Sequence, residues 1–551
     1  MMKSKITKII LFAVVALAFL LRVYKVDSVP PSLNWDETSI GYNAYSILKS
    51  GRDEWGGLLP LNFKSYGEYK LPVQIYASIP GIAVFGLNEL GVRITPVIYG
   101  TLTVLLLFFL AKEILKNYRV GILSAFLLAI SPWHIQLTRA SFESSFSVFW
   151  VVLGVWLFIK GFRDRKFWLW SIIPFVISIY TYNAARVFSP LFIFVLFLIY
   201  RKEVLKNFKI FAIGFFIFAA SMIPIITFFF SGQATARLKL VSIIDDPGFV
   251  QRINKARGAT NLPAPLPKLI HNKATHFAYV FTGNYLAHFT PDFLFIKGAG
   301  HKQHHVQEVG ELYAIQAPFI LFGLFFLFKT KNPWRGLLLS WLLLTFIPVA
   351  ITVDSIPNAL RTILAVIPYE ILTALGFWEA YRLFRKDKLG RWALILTSVL
   401  LLLFQFGTYL NNYYNIYPKA YSRDWQYGYK EAVKYIGEHK SDYDLIVFSR
   451  TYGEPHMFTL FFLNWDPVGY QNDPMLNRYE ANDWVWVLNF DKFYFPDLGD
   501  AGTRYQDIVS ANPDKRILFI GKSGDFPDSL PRLLTIDFLN GDRAFDIVES
   551  K

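Results

Sequence analysis

Long apolar blocks separated by short polar connectors dominate the first 410 residues of this 551-residue chain. Runs such as IILFAVVALAFLL, TLTVLLLFFLA, FFIFAASMIPIITFFF and WALILTSVLLLLF show no polar face and approach the length of a bilayer core. They predict membrane-spanning helices rather than amphipathic surface helices. Eleven such segments can be placed, at 6–24, 94–111, 120–130, 146–159, 168–182, 187–200, 210–230, 314–328, 336–353, 362–381 and 392–409. A further apolar stretch, 71–87, has amphipathic ends and is assigned to the interface or to a re-entrant segment. Beyond residue 410 the pattern changes to short runs of strand character, YDLIVFS, DWVWVLNF, KRILFIG and LLTIDF, between helical stretches. That alternation predicts a small α/β domain at 411–551. The fold expected is a polytopic α-helical membrane protein of about eleven spans, 1–410, with this domain attached and with two large loops, 25–93 and 231–313.

Charge orients the spans. With 71–87 left uncrossed, twenty-two Lys and Arg fall at the N-terminal end and in loops 112–119, 160–167, 201–209, 329–335 and 382–391. Three short loops on the opposite side carry one each, Arg139, Arg186 and Arg361. The positive-inside bias then puts the N-terminus in the cytoplasm, and both large loops and the α/β domain outside a cell membrane. Crossing at 71–87 would reverse the bias.

Composition narrows the chemistry. The formal net charge of +15 sits in loops rather than in a compact basic domain, which argues against nucleic acid as a partner. Without cysteine the chain has no disulfide, thiol nucleophile or thiolate metal site. The N-terminal segment is read as a retained span, since it lacks a small-residue cleavage site. No glycine-rich phosphate loop and no HExxH motif occurs.

Ionisable residues at the outer border of the membrane are the remaining candidates, because such placements are costly. NWDETSIGYNAY brings two adjacent acids, Asp36 and Glu37, just outside the first span. One reading makes them signals for the start of the following helix, with Thr38 or Asp36 as the cap. Glu143 opens the fourth span four residues after Arg139, and one helical turn would make these a local ion pair. Arg93 is expected to snorkel to headgroups or to cap its span. A chemical reading joins the same residues. A carboxylate at the border can act as general base toward a hydroxyl, and cations at that depth can hold a lipid phosphate and the charge that develops on it.

Several blocks resemble the GT-C glycosyltransferases that use polyprenyl-phosphate sugars, the group of the protein O-mannosyltransferases and the lipid A aminoarabinose transferase. NWDETSIGYNAYSILKSGRDEWGGLLP resembles the first extracytoplasmic loop of that group, in which an acid ahead of a juxtamembrane helix is the catalytic base; Asp36 takes its place. YKLPVQIYASIPGIAVFGLNELGVRITPVIYG matches the lysine–proline block and the FG-x-NE block through Lys70, Pro72, Phe85, Gly86, Asn88, Glu89 and Arg93. Leu71 stands where a proline is common. Tyr69 stands where the aminoarabinose transferase has a metal-binding glutamate. SPWHIQLTRASFESSFSVFW places Glu143 as the second acid, and YTYNAARVFSPLF and PNALRTILAVIPY place Arg186 and Arg361 at phosphate contacts. HFTPDFLFIKGAGHKQHHVQEVGELY resembles a lid-like loop with His304 at a recurring histidine.

The resemblance implies that 1–410 is a catalytic domain performing a single, inverting displacement. Asp36 takes the acceptor hydroxyl's proton, Glu37 and Glu143 support it, and Lys70, Arg139, Arg186 and Arg361 bind the donor phosphate. The partners implied are a polyprenyl-phosphate sugar and a lipid, glycan or protein acceptor on the outer face. His301, His304 and His305 invite a metal reading, but the resemblance to inverting, protein-mannosylating members implies no metal or cofactor, and none is assigned. A polytopic transporter and a non-catalytic scaffold for envelope-glycan assembly remain the alternatives.

Overall fold

The computed structural model describes residues 2–232, 240–481, 484–499 and 502–550. The chain divides into two compact units. One comprises residues 1–24, 96–138 and 142–410; the other comprises 25–95, 139–141 and 411–551. Loop 25–93, expected to belong with the transmembrane domain, thus forms a compact unit with the C-terminal segment instead.

The first unit is helical. Among the described residues, six helices are long and apolar enough to cross a membrane: Lys5–Val23, Glu89–Leu115, Glu143–Gly161, Phe208–Phe230, Ala359–Leu383 and Lys388–Ala420. A seventh crossing results if Tyr118–Ile130 and Pro132–Arg139, bent by 56°, count as one. The sequence predicts eleven. Four of the others, at Lys166–Ile179, Asn183–Ile199, Gln316–Lys329 and Arg335–Ala350, are apolar helices too short to meet the same length requirement. Pro132 marks the bend in the broken pair, since proline cannot continue the hydrogen-bond ladder. The chain is a membrane protein by these helices.

Packing between helices follows the small residues. Gly323 and Gly376 lie where Gln316–Lys329 meets Val366–Leu383; a Cβ on Gly376 would stand 1.8 Å from the Phe319 carbonyl oxygen, and one on Gly323 2.0 Å from that of Leu372. Backbones this close admit no side chain, the arrangement expected where lipid-solvated helices associate through van der Waals contact. Several buried polar groups find partners within the unit. Arg22 bonds the Ala18 and Ala129 carbonyls, Thr138 and His134 at 2.7–3.1 Å, and Glu370 accepts from Gln316 Nε2 at 2.6 Å.

The second unit is built on a seven-stranded sheet. Its strands, in chain order after the hairpin β1 (Phe63–Ser65) and β2 (Glu68–Lys70), are β3 (Leu445–Phe448), β4 (Asn477–Ala481), β5 (Trp484–Phe490), β6 (Phe493–Tyr494), β7 (Ile517–Gly521), β8 (Leu534–Asp537) and β9 (Arg543–Glu549). Their spatial order is β4-β5-β6-β3-β7-β9-β8, with β3 parallel to β6 and β7 and the remaining pairs antiparallel. β7 is buried along its whole length, as expected of a central strand covered on both faces. The helix Trp35–Ser50 shares this unit's core through Ile40, Tyr42, Ala44 and Ile47, together with Tyr429, Phe458 and Phe461. Gly41 makes the approach feasible, because a Cβ there would lie 2.6 Å from both Phe461 Cε2 and Val92 Cγ2.

Candidate functional site

The adjacent acids of the opening motif have different surroundings. Asn34 caps Trp35–Ser50, its side chain accepting from the Glu37 amide at 2.9 Å, while Glu37 accepts from the Asn34 amide at 3.3 Å. This is a capping box, so the cap is Asn34 rather than Thr38 or Asp36. Glu37 is fully buried and also meets Arg93, whose Nε and Nη2 donate at 2.9 and 2.8 Å, and the Ser141 amide at 2.9 Å. Arg93 in turn donates to the carbonyls of Val26, Pro30 and Ser32. It is completely buried and does not snorkel. The FG-x-NE block explains its position: Asn88 Oδ1 accepts from the Gly91 amide, Glu89 opens the helix Glu89–Leu115 and pairs with Lys430 at 2.6 Å, and Arg93 follows one turn later.

Asp36 points elsewhere. Its carboxylate is 37% exposed and ion-paired through Oδ1 with Lys70, whose side chain is 4% exposed. Lys70 ends β2, Leu71 caps the next helix and Pro72 occupies its first turn. The hairpin tip is fixed by the Val485 amide of β5, which donates to the Tyr66 carbonyl at 2.8 Å. Glu68 lies 3.9 Å from the same ammonium. The cation between these two carboxylates is therefore the lysine's own, and the donor set does not fit a divalent ion.

Around Asp36 the C-terminal segment supplies groups that sequence reasoning missed. Gln426 accepts from the Trp35 amide at 2.8 Å, and Tyr66 donates to the Trp35 carbonyl at 2.9 Å. Trp484 stacks on Tyr66 with ring centres 5.9 Å apart, and its indole donates to Glu454 at 2.6 Å. Burial pushes the Glu454 carboxyl up to about 8, the Trp484 N–H opposing. Burial also pushes Glu54 up to about 7 against the pull of Arg478. His456 is pulled down to about 3 by burial and then by Arg478. The 3.4 Å contact between His456 and Glu454 thus joins two neutral groups at pH 7.

These shifts set a pH dependence. In the unfolded chain the glutamates titrate near 4.5, so the folded unit holds extra protons above that value. Their stabilisation is complete below about 4.5 and is lost as pH rises through 7 and 8. His456 has the opposite sign, losing its contribution as pH falls below 6.5 toward 3. Of these three groups only the glutamates contribute from pH 6.5 to 8.5, each up to about 1.4 kcal/mol per pH unit. The apparent Tm of the solubilised protein should fall over that interval, and Glu454→Gln should flatten the fall. A variant curve parallel to wild type would contradict the assignment.

The other predicted residues lie as follows. Arg139, in the same unit as Asp36, is fully buried; it donates to the Tyr413 hydroxyl at 3.0 Å and to the Val29 carbonyl at 2.7 Å, and stands over the Tyr413 and Tyr414 rings. Arg139 ends the helix Pro132–Arg139 and Glu143 begins Glu143–Gly161, so the single helical turn expected to join them is absent. In the first unit, Glu143 is the carboxylate felt by Arg186. Arg186 bonds Asn183 Oδ1 at 3.2 Å, and its buried Nη2 has no hydrogen-bond partner among the described residues. Arg361 pairs with Asp354 at 2.8 Å and Thr352 at 2.9 Å. His304 stacks on His301 at 3.7 Å and meets the Phe142 ring edge-on, while His305 pairs with Glu311 at 3.0 Å.

The chain shares its fold with solved membrane proteins and matches a known family over part of its length. Residues 12–232 match the family described as dolichyl-phosphate-mannose-protein mannosyltransferase. The whole chain superposes on ArnT from Cupriavidus metallidurans in its apo state with a TM-score of 0.54 at 11% identity, covering 100% of this chain and 98% of that one. The same protein bound to undecaprenyl phosphate gives 0.51 at 12% identity, covering 98% of this chain and 97% of that one. The oligosaccharyltransferase AglB from Archaeoglobus fulgidus, in complex with an inhibitory peptide and a dolichol-phosphate, gives 0.50 at 14% identity over 84% of this chain. This chain covers 64% of AglB. An uncharacterized protein of Aquifex aeolicus (strain VF5) is 29% identical over 180 residues, 31% of this chain and 34% of its own length.

Proposed function

We propose that the protein is a membrane glycosyltransferase that moves a sugar from a polyprenyl-phosphate carrier to an acceptor hydroxyl on the outer face of the membrane. The observation that carries this reading is the contrast between neighbouring acids. Glu37 is buried and saturated by Arg93, Asn34 and Ser141, whereas Asp36 is partly exposed and held through one oxygen by Lys70. A carboxylate oriented by a lysine and open to solvent has the properties of a general base. The acceptor oxygen attacks the anomeric carbon as Asp36 Oδ2 takes its proton. The bond from that carbon to the phosphate oxygen breaks, and the electron pair leaves with the carrier phosphate. Phosphate departs without protonation when cations take up its charge. Lys70 is assigned to that task, with Arg186 and Arg361 of the helical unit as the further candidates that the resemblance implies; Arg186 Nη2 has no hydrogen-bond partner among the described residues. Arg139, engaged with Tyr413 and main-chain carbonyls, positions the segment preceding Asp36.

The fold likeness to ArnT and the family match over 12–232 support the donor class, and ArnT's own complex contains undecaprenyl phosphate. The test supplies purified protein with polyprenyl-phosphate mannose, glucose, galactose or arabinose, each radiolabelled, and an extract of membrane lipids and peptides. Label appearing on an acceptor from one donor is the expected result. Retention of all label on carriers that bind the protein would overturn the reading in favour of a transporter or scaffold.

A further inference from the structure

Residues 249–287 of the helical unit contain Arg252, Lys255, Arg257, Lys268 and Lys273 and not one Asp or Glu. They form the helices Phe249–Gly258, Leu266–Ile270 and Lys273–Ala287. The first and last close a small core of Phe249 and Ile253 with Phe277, Val280 and Phe281. Arg257 ties the first helix to the end of the second by donating to the His271 carbonyl at 2.7 Å. Arg252 is paired with Asp246; Lys255, Lys268 and Lys273 are exposed, and none has an ion-pair partner among the described residues.

Large apolar side chains are exposed beside these cations. Leu269 is 64%, Ile270 48% and Tyr279 78% accessible, and Leu262 and Leu266 are also exposed. An acid-free cationic segment with unburied Leu, Ile and Tyr has the composition of an interfacial element, which places apolar groups at the acyl border and cations among phosphates. Its attachment fits that location. Asn284 donates to the Thr352 carbonyl at 2.6 Å and Tyr285 to the Leu343 carbonyl at 3.0 Å, tying the last helix to the C-terminal half of the apolar segment Arg335–Ala350.

We propose that residues 249–287 dock on the bilayer surface, with Leu266, Leu269 and Ile270 entering the acyl border and Lys255, Lys268 and Lys273 binding the phosphates of anionic lipid. The inference stands whether the protein transfers sugar or not.

The absence of native cysteine permits unambiguous labelling. Leu269→Cys and Tyr279→Cys, each carrying a nitroxide, would be placed as full-length chains in nanodiscs of phosphatidylcholine with or without phosphatidylglycerol. With phosphatidylglycerol, the label at 269 should collide with oxygen and be shielded from a water-soluble nickel chelate. Adding Lys255→Glu, Lys268→Glu and Lys273→Glu, all at exposed positions, should restore nickel collisions. Nickel access at both positions in either lipid would overturn the proposal and leave a soluble partner as the occupant. Equal shielding in both lipids, unaffected by charge reversal, would overturn the anionic-lipid component.

Discussion

Asp36→Asn should lower sugar transfer by about 10²- to 10⁴-fold, the usual contribution of a positioned general base, while the protein remains folded and binds its donor. Asparagine is nearly isosteric with aspartate, so the start of Trp35–Ser50 is preserved: its cap is Asn34 and its reciprocal partner Glu37. The lost ion pair involves a 37% exposed carboxylate, and partly exposed pairs contribute little to stability. Lys70 retains Glu68 at 3.9 Å. Label transfer, donor binding and thermal unfolding should be measured on the same preparation. Full transfer by the variant would remove Asp36 from the chemistry, and a collapse of thermal stability would give it a structural role instead.

Substitution one residue later should have the opposite profile. Glu37→Gln or Arg93→Met leaves a partner charge buried without compensation, a defect that costs about 3–5 kcal/mol. Both side chains are completely inaccessible, and Arg93 would lose its charged partner while still facing three main-chain carbonyls. Either variant should give poor yield and a markedly lower Tm. The double variant Glu37→Gln/Arg93→Met should be less impaired than the sum of the two, because residues in one network couple. Additive losses, or a Glu37→Gln protein that is stable but inactive, would show that Glu37 belongs to the chemistry and not to the scaffold.

The apolar blocks made the helical class legible, because an uninterrupted apolar run reports its own environment. The strand-like runs after residue 410 were legible for a similar reason: KRILFIG contains the buried strand Ile517–Gly521. The division of labour between Asp36 and Glu37 was not. It depends on Arg93, 56 residues from Glu37, and Ser141, 104 residues away, and neither separation has a local signature. Local rules misplaced the cap because Thr38 and Asp36 are good capping residues, yet Asn34 with Glu37 three positions on forms the complete box. They also linked Arg139 to Glu143 across a turn that residues 140–142 interrupt. Glu454 and His456 could not be recognised at all, since their protonation states arise from tertiary burial.

The unit that holds Asp36 is assembled from residues 25–95, 139–141 and 411–551, which constrains its birth. On the ribosome the helix Trp35–Ser50 emerges roughly 400 residues before Tyr429, Phe458 and Phe461, the partners that share its core. At typical rates of synthesis that interval is about 20–80 s. Throughout it, Ile40, Tyr42 and Ile47 wait uncovered beside a membrane that is still receiving helices. Nascent chains halted before residue 411 should therefore be open to protease within 25–95, and release of the full-length chain should close that window.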